Sequence, residues 1–74
     1  MREKLKQVMA EVFEVDAALI TEKSNMDNLD GWDSLSHIRL IAALEEKFGV
    51  TLTSDEIATL TSVAAVESVL QARV

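Results

Sequence analysis

The chain has 74 residues, 13 of them acidic and 7 basic, giving a net charge of −6, and it has no cysteine. One small domain is all this length allows, with a thin core and neither a disulfide nor a thiolate metal site to staple it. The negative balance argues against a nucleic-acid partner, no run of about 18 apolar residues exists to span a membrane, and charged residues straight after Met1 leave no apolar signal core.

Leu5, Val8, Met9, Val12 and Phe13 recur at i, i+3, i+4, i+7 and i+8. That spacing predicts a helix from about residue 2 to 14, with Arg2, Lys6 and Glu14 on the opposite face. Met9 and Phe13 are expected in the core. From Val15 to Trp32 no period is sustained. A structureless segment of this length must be functional or pinned by buried anchors. Ile20, Met26 and Leu29 are the expected plugs, with a short turn near Asp16–Leu19. Asp27, Asn28, Asp30 and Gly31 supply turn chemistry. Seven acids lie between Glu11 and Asp33, against Lys23 alone. Asp27, Asp30 and Asp33 do not follow calcium-loop spacing, so a solvated acidic loop is expected and no metal site.

Asp33 is placed to N-cap a second helix that runs to Phe48. On a helical wheel His37, Ile38, Ile41, Leu44 and Phe48 share one side, and Ser36, Arg39, Ala43 and Glu46 the other. Leu35 and Ala42 fall near the boundary. Gly49 stands where a left-handed C-cap wants glycine, and Val50 can fold back on the last turn. Thr51 and Leu52 read as extended linker. Thr53-Ser54-Asp55-Glu56 fits a capping box, opening a short helix whose Ile57 and Leu60 face the core. Ser62 then caps a last helix with Val63, Val66, Val69 and Leu70 as its stripe, and Arg73 near its end suits the dipole. No proline interrupts these elements. The predicted fold is all-α: a small four-helix bundle of three longer helices and one short one, with residues 1–74 as a single domain.

The chemistry centres on Gly31-Trp32-Asp33-Ser34-Leu35. A serine at a helix start points its hydroxyl outward. The free N–H groups and positive dipole end there favour an anion, so Ser34 is suited to carry a phosphate ester. Ser34 and His37 stand at i and i+3, and with Asp33 they share the composition of a catalytic triad. Asp33 is occupied as a cap, however, and a bundle this small leaves little room for a cleft or oxyanion hole, so no catalytic residue is expected. His37 is expected to be a half-buried support for core and loop. Trp32 is expected to be partly buried over the loop–helix junction, the other option being an aromatic contact to a partner.

The pentapeptide also resembles the attachment motif of acyl carrier proteins, in which the serine of Asp-Ser-Leu (here Asp33, Ser34 and Leu35) receives 4′-phosphopantetheine. The likeness covers nearly the whole chain. A helix of about four turns and a long loop precede the motif, and Leu44-Glu45-Glu46-Lys47-Phe48-Gly49-Val50 looks like the family's usual ending of the second helix. The resemblance implies that a phosphopantetheinyl transferase esterifies Ser34 from coenzyme A with magnesium. It further implies that acyl groups ride on the arm as thioesters between acyl-loading and acyl-processing enzymes, in fatty acid, polyketide or related biosynthesis.

One departure stands out. Many fatty-acid carriers place acidic residues just after Ser-Leu, where this chain has Ser36 and Arg39. We therefore expect a specialised carrier; the missing membrane span and signal core make a cytoplasmic protein the expectation, and a monomer is expected. Met1 and Val74 directly flank the outer helices, which suggests a freestanding one. The alternatives are an aminoacyl or peptidyl carrier, and an unmodified helical interaction domain that has no need of a hydroxyl at Ser34.

Overall fold

The computed structural model describes residues 2–73, so the expectation resting on Met1 and Val74 lies outside them. Helix α1 spans Arg2–Phe13 and buries the stripe Leu5, Val8, Met9 and Phe13. It ends one residue earlier than its spacing predicts. Glu14 turns into the left-handed region at φ 56°. The Val15 N–H then donates to the Ala10 carbonyl at 3.1 Å, closing the end of the helix in a Schellman-type turn.

The long loop is pinned, as expected. Asp16 accepts from the Ala18 N–H at 2.9 Å and starts a 3-10 turn at Ala17–Leu19. Ile20 and Leu29 are buried and Met26 is half-buried against the core. Backbone pairing with the segment before the last helix adds a tether that the sequence pattern does not disclose. The Met26 N–H donates to the Thr61 carbonyl at 3.0 Å, and the Val63 N–H to the Ser24 carbonyl at 2.9 Å. Ser24 is buried, and its hydroxyl oxygen accepts from the Thr21 N–H at 3.0 Å.

Helix α2 spans Ser34–Phe48, and Gly49 caps its end at φ 65°. Its buried residues are Leu40, Ile41 and Leu44. Ile41 and Leu44 of the face the helical wheel assigns are buried and His37 and Phe48 half-buried, but Ile38 is 68% exposed, and Leu40, assigned to neither side, is fully buried. Apolar residues occupy most of this helix's circumference, so its own pattern leaves the inward direction poorly defined and packing against α1 decides it. Lys4 clasps the two helices, donating to the Lys47 carbonyl at 2.8 Å while its ammonium lies 4.9 Å from the centre of the Phe48 ring.

Helix α3 is a short piece, Ser54–Thr59, opened by a complete capping box. The Glu56 N–H donates to Thr53 Oγ1 at 3.1 Å, and the Thr53 N–H donates to the Glu56 carboxylate at 2.9 Å. None of its six residues is fully buried. Ile57 packs half-buried, and Leu60 enters the core just beyond it. Helix α4, Val63–Arg73, follows Ser62, whose Oγ accepts from the Ala65 N–H at 3.1 Å. It buries Val63, Val66 and Leu70.

One core draws on α1, α2 and α4 and on Ile20, Leu29, Trp32, Leu52 and Leu60 between helices. Two arginines tie the periphery together. Arg2 grips Glu67 of α4 with two nitrogens, at 2.8 and 2.9 Å, and holds that carboxyl below the usual carboxylate range. Arg73 does more than complement a dipole, since it reaches back to Glu56 and to the Thr51 carbonyl.

Both glycines have positive φ, but for different reasons. At Gly49 nothing lies near a would-be Cβ, so alanine there meets only the left-handed backbone cost of roughly 1–2 kcal/mol. At Gly31 (φ +91°) a Cβ would sit 2.7 Å from the Phe13 carbonyl oxygen. Gly31→Ala should therefore lower the urea midpoint well beyond Gly49→Ala; equal midpoints would show that the Phe13–Gly31 approach is not tight.

Candidate functional site

The site is built on a buried tryptophan. Trp32 is 3% exposed, more deeply buried than the sequence suggests, so it is not a contact for a partner. Its ring stacks on Phe13 with centroids 5.1 Å apart and planes 25° from parallel. The indole N–H, which cannot be left unsatisfied in the core, donates to His37 Nδ1 at 3.1 Å.

From that anchor the chain turns outward. Asp33 is extended (φ −114°, ψ −172°), and its carboxylate accepts from the Ser36 N–H at 2.9 Å. It is the N-cap that the sequence predicts. The Ser36 N–H bond is the main reason its carboxyl lies below the usual range, with smaller help from the Ser36 hydroxyl and the Leu35 N–H. Ser34, the first residue of α2, is exposed. Among the described residues no hydrogen bond engages its hydroxyl.

Leu35 (59% exposed) and Ile38 stand beside it as uncovered apolar side chains. Arg39 is also exposed, and among the described residues it forms no salt bridge. It therefore does not pair with Glu46 or a loop aspartate.

His37 is half-buried and bridges two elements. With Nδ1 accepting from Trp32, the proton of the neutral ring sits on Nε2, which lies 3.1 Å from the Ile57 carbonyl oxygen and donates to it. Both ring nitrogens are thus occupied, and neither is free to act as a base on Ser34. Asp33 faces the Ser36 N–H, not the imidazole. The triad composition at 33, 34 and 37 is not a triad geometry. The supporting role expected of His37 is the one it has, but its bond to a carbonyl 20 residues away has no signal in the sequence.

An apolar groove of about 280 Å³ opens between α2 and α3, lined by Ile38, Ile41, Ala42, Glu45 and Ile57. The Glu45 carboxylate is held at its rim by the Leu52 N–H at 2.9 Å. A larger hollow of about 560 Å³ lies between the long loop and the start of α4, and none of its lining residues (Asn25, Met26, Asp27, Thr61 and Ser62) belongs to α2. Among the described residues no three acids or histidines are grouped to hold a metal ion. No helix among them is long and apolar enough to cross a membrane.

An unengaged hydroxyl on the first turn of a 15-residue helix suits a covalent phosphate ester. The dipole end faces the anion, and solvent leaves room for the rest of the group. A protein of this kind, holding a group for others to act upon, is a carrier. Comparison with known proteins agrees. The family model described as "Phosphopantetheine attachment site" matches residues 3–70. Acyl carrier proteins of Helicobacter pylori, strains G27 and HPAG1, are each 43% identical over 54 residues, covering 73% of this chain and 69% of theirs. The solution structure of holo acyl carrier protein from Geobacter metallireducens superposes with a TM-score of 0.85 at 27% identity, covering 96% of this chain and 82% of that one. The chain belongs to the phosphopantetheine-dependent acyl carrier family. It is a carrier and not an enzyme, and its cofactor is covalently attached phosphopantetheine.

Proposed function

We propose that Ser34 is the attachment point, with Asp33 and Leu35 completing the motif. Residues 2–73 then act as one domain that presents acyl groups to biosynthetic enzymes. The observation that supports this most is the exposed, unengaged Ser34 hydroxyl at the start of α2, beside a carboxylate already committed to the Ser36 N–H. When attached, the arm supplies a terminal thiol for thioester chemistry. The chain's own residues do the rest. Asp33 fixes the first turn of α2, Trp32 and Phe13 fix the loop that enters it, and the helix dipole stabilises the ester phosphate. Tethering keeps the acyl group at millimolar-scale effective concentration near any docked enzyme. The groove between α2 and α3 is apolar enough to shelter part of that chain.

On this reading the carrier serves a specialised pathway. The first exposed turns of α2 offer Leu35, Ile38 and an Arg39 that forms no salt bridge among the described residues, in place of acids. A partner built to read a row of carboxylates meets one cation instead, and like charges across an interface reject wrong partners.

The attachment is tested by incubating the protein with coenzyme A, magnesium and a broad-specificity phosphopantetheinyl transferase, then measuring intact mass. The wild type should gain one phosphopantetheine group and Ser34→Ala none, although it folds. No gain in folded wild type, with a control carrier modified in parallel, would favour an unmodified interaction domain. For specificity, Arg39→Glu should raise the initial rate at which a malonyltransferase of fatty acid synthesis loads the carrier. An unchanged rate removes Arg39 as a discriminating residue.

A further inference from the structure

We infer that His37 is a positioning residue that latches α3 against α2 and so sets the opening of the apolar groove. This rests on the reading of that groove as the shelter for the carried chain. The argument starts from how little holds α3. It is six residues long, and none of them is fully buried. The two hydrogen bonds of its capping box are internal, between Thr53 and Glu56. Few links tie it to its surroundings. The Arg73–Glu56 pair joins it to α4. Half-buried Ile57 and the following Leu60 pack inward. His37 Nε2–H donates to the Ile57 carbonyl at 3.1 Å.

That last bond is placed where it matters. Ile57 is the α3 residue that lines the groove, and Ile38 and Ile41, one and four positions after His37 on α2, form part of the facing wall. The imidazole therefore spans the two walls at the groove's edge. Its orientation is not its own choice. The buried indole N–H of Trp32 requires an acceptor, and by taking Nδ1 it places the ring's proton on the nitrogen that faces Ile57. The same tryptophan that fixes the approach to Ser34 thus fixes, through His37, the wall of the groove. A segment with few buried contacts and few polar ties opens at the low end of the protein's stability range, so one such tie governs how often it opens.

Two variants separate the two halves of the relay. Glutamine carries an amide N–H at the position of Nε2 and keeps the bond to Ile57. Asparagine carries its amide carbonyl at the position of Nδ1 and keeps only the acceptor for Trp32. Amide hydrogen exchange is measured on the chain without phosphopantetheine, so the outcome is independent of whether Ser34 is modified. In His37→Asn the Ile57 and Leu60 amides should exchange about 3- to 10-fold faster, as expected for losing one hydrogen bond. The Val66 amide of α4 should be unchanged. In His37→Gln, which orphans the Trp32 N–H, the Ile57 and Leu60 rates relative to Val66 should stay near wild type. The inference is overturned if the two variants behave alike at Ile57 and Leu60 relative to Val66, or if in His37→Asn Val66 accelerates in step with them, which would mark a loss of global stability.

Discussion

The stacking of Trp32 on Phe13 is the contact on which the rest depends. It brings the end of the long loop down onto the last turn of α1. For the ring to lie there the backbone at Gly31 must pass within a Cβ's reach of the Phe13 carbonyl, which only glycine allows. With the indole fixed, the direction of the chain beyond it is set: Asp33 is extended, and Ser34 emerges at an exposed helix start. A large apolar side chain buried two residues before an exposed hydroxyl provides rigidity on one side and access on the other.

Electrostatics at the site are modest and local. The Asp33 carboxylate is held by backbone N–H groups of the first turn, and the positive end of the α2 dipole lies beside the Ser34 hydroxyl. Acidity is concentrated upstream, in the loop that carries Asp27 and Asp30. The first exposed turns of α2 instead present Leu35, Ile38 and Arg39. On the proposed reading, a partner meets a negative loop beside a first stretch of α2 that is apolar and carries Arg39. The interior is divided in the same spirit. α1, α2 and α4 share the buried core, while α3 is held by Ile57, Leu60 and a few polar ties.

What was legible in the sequence was local. Caps are short-range hydrogen bonds, and Asp33, Thr53 with Glu56, Ser62 and Gly49 each act as their spacing predicts. The loop anchors Ile20 and Leu29 stand out as isolated apolar residues in polar surroundings, and both are buried. The errors arise where tertiary contact overrides the pattern. The inward direction of α2 passes through Leu40, not Ile38, because an apolar residue on nearly every face leaves the choice to its neighbours. Trp32 sinks further than a residue beside a functional loop suggests, since Phe13, far off in sequence, supplies its platform. The pairing of Ser24–Met26 with Thr61–Val63 joins backbone to backbone, and the His37 imidazole bonds the backbone carbonyl of Ile57; backbone carries no mark in a sequence.

Trp32 is the only tryptophan in the chain, so its fluorescence reports on this junction alone. Acrylamide quenching should be measured before and after incubation with coenzyme A, magnesium and a phosphopantetheinyl transferase. The account predicts blue-shifted emission and weak quenching in both states, because Ser34 is loaded without opening the Trp32–Phe13 contact. Emission and quenching like those of free indole, or a loss of protection on loading, would contradict it.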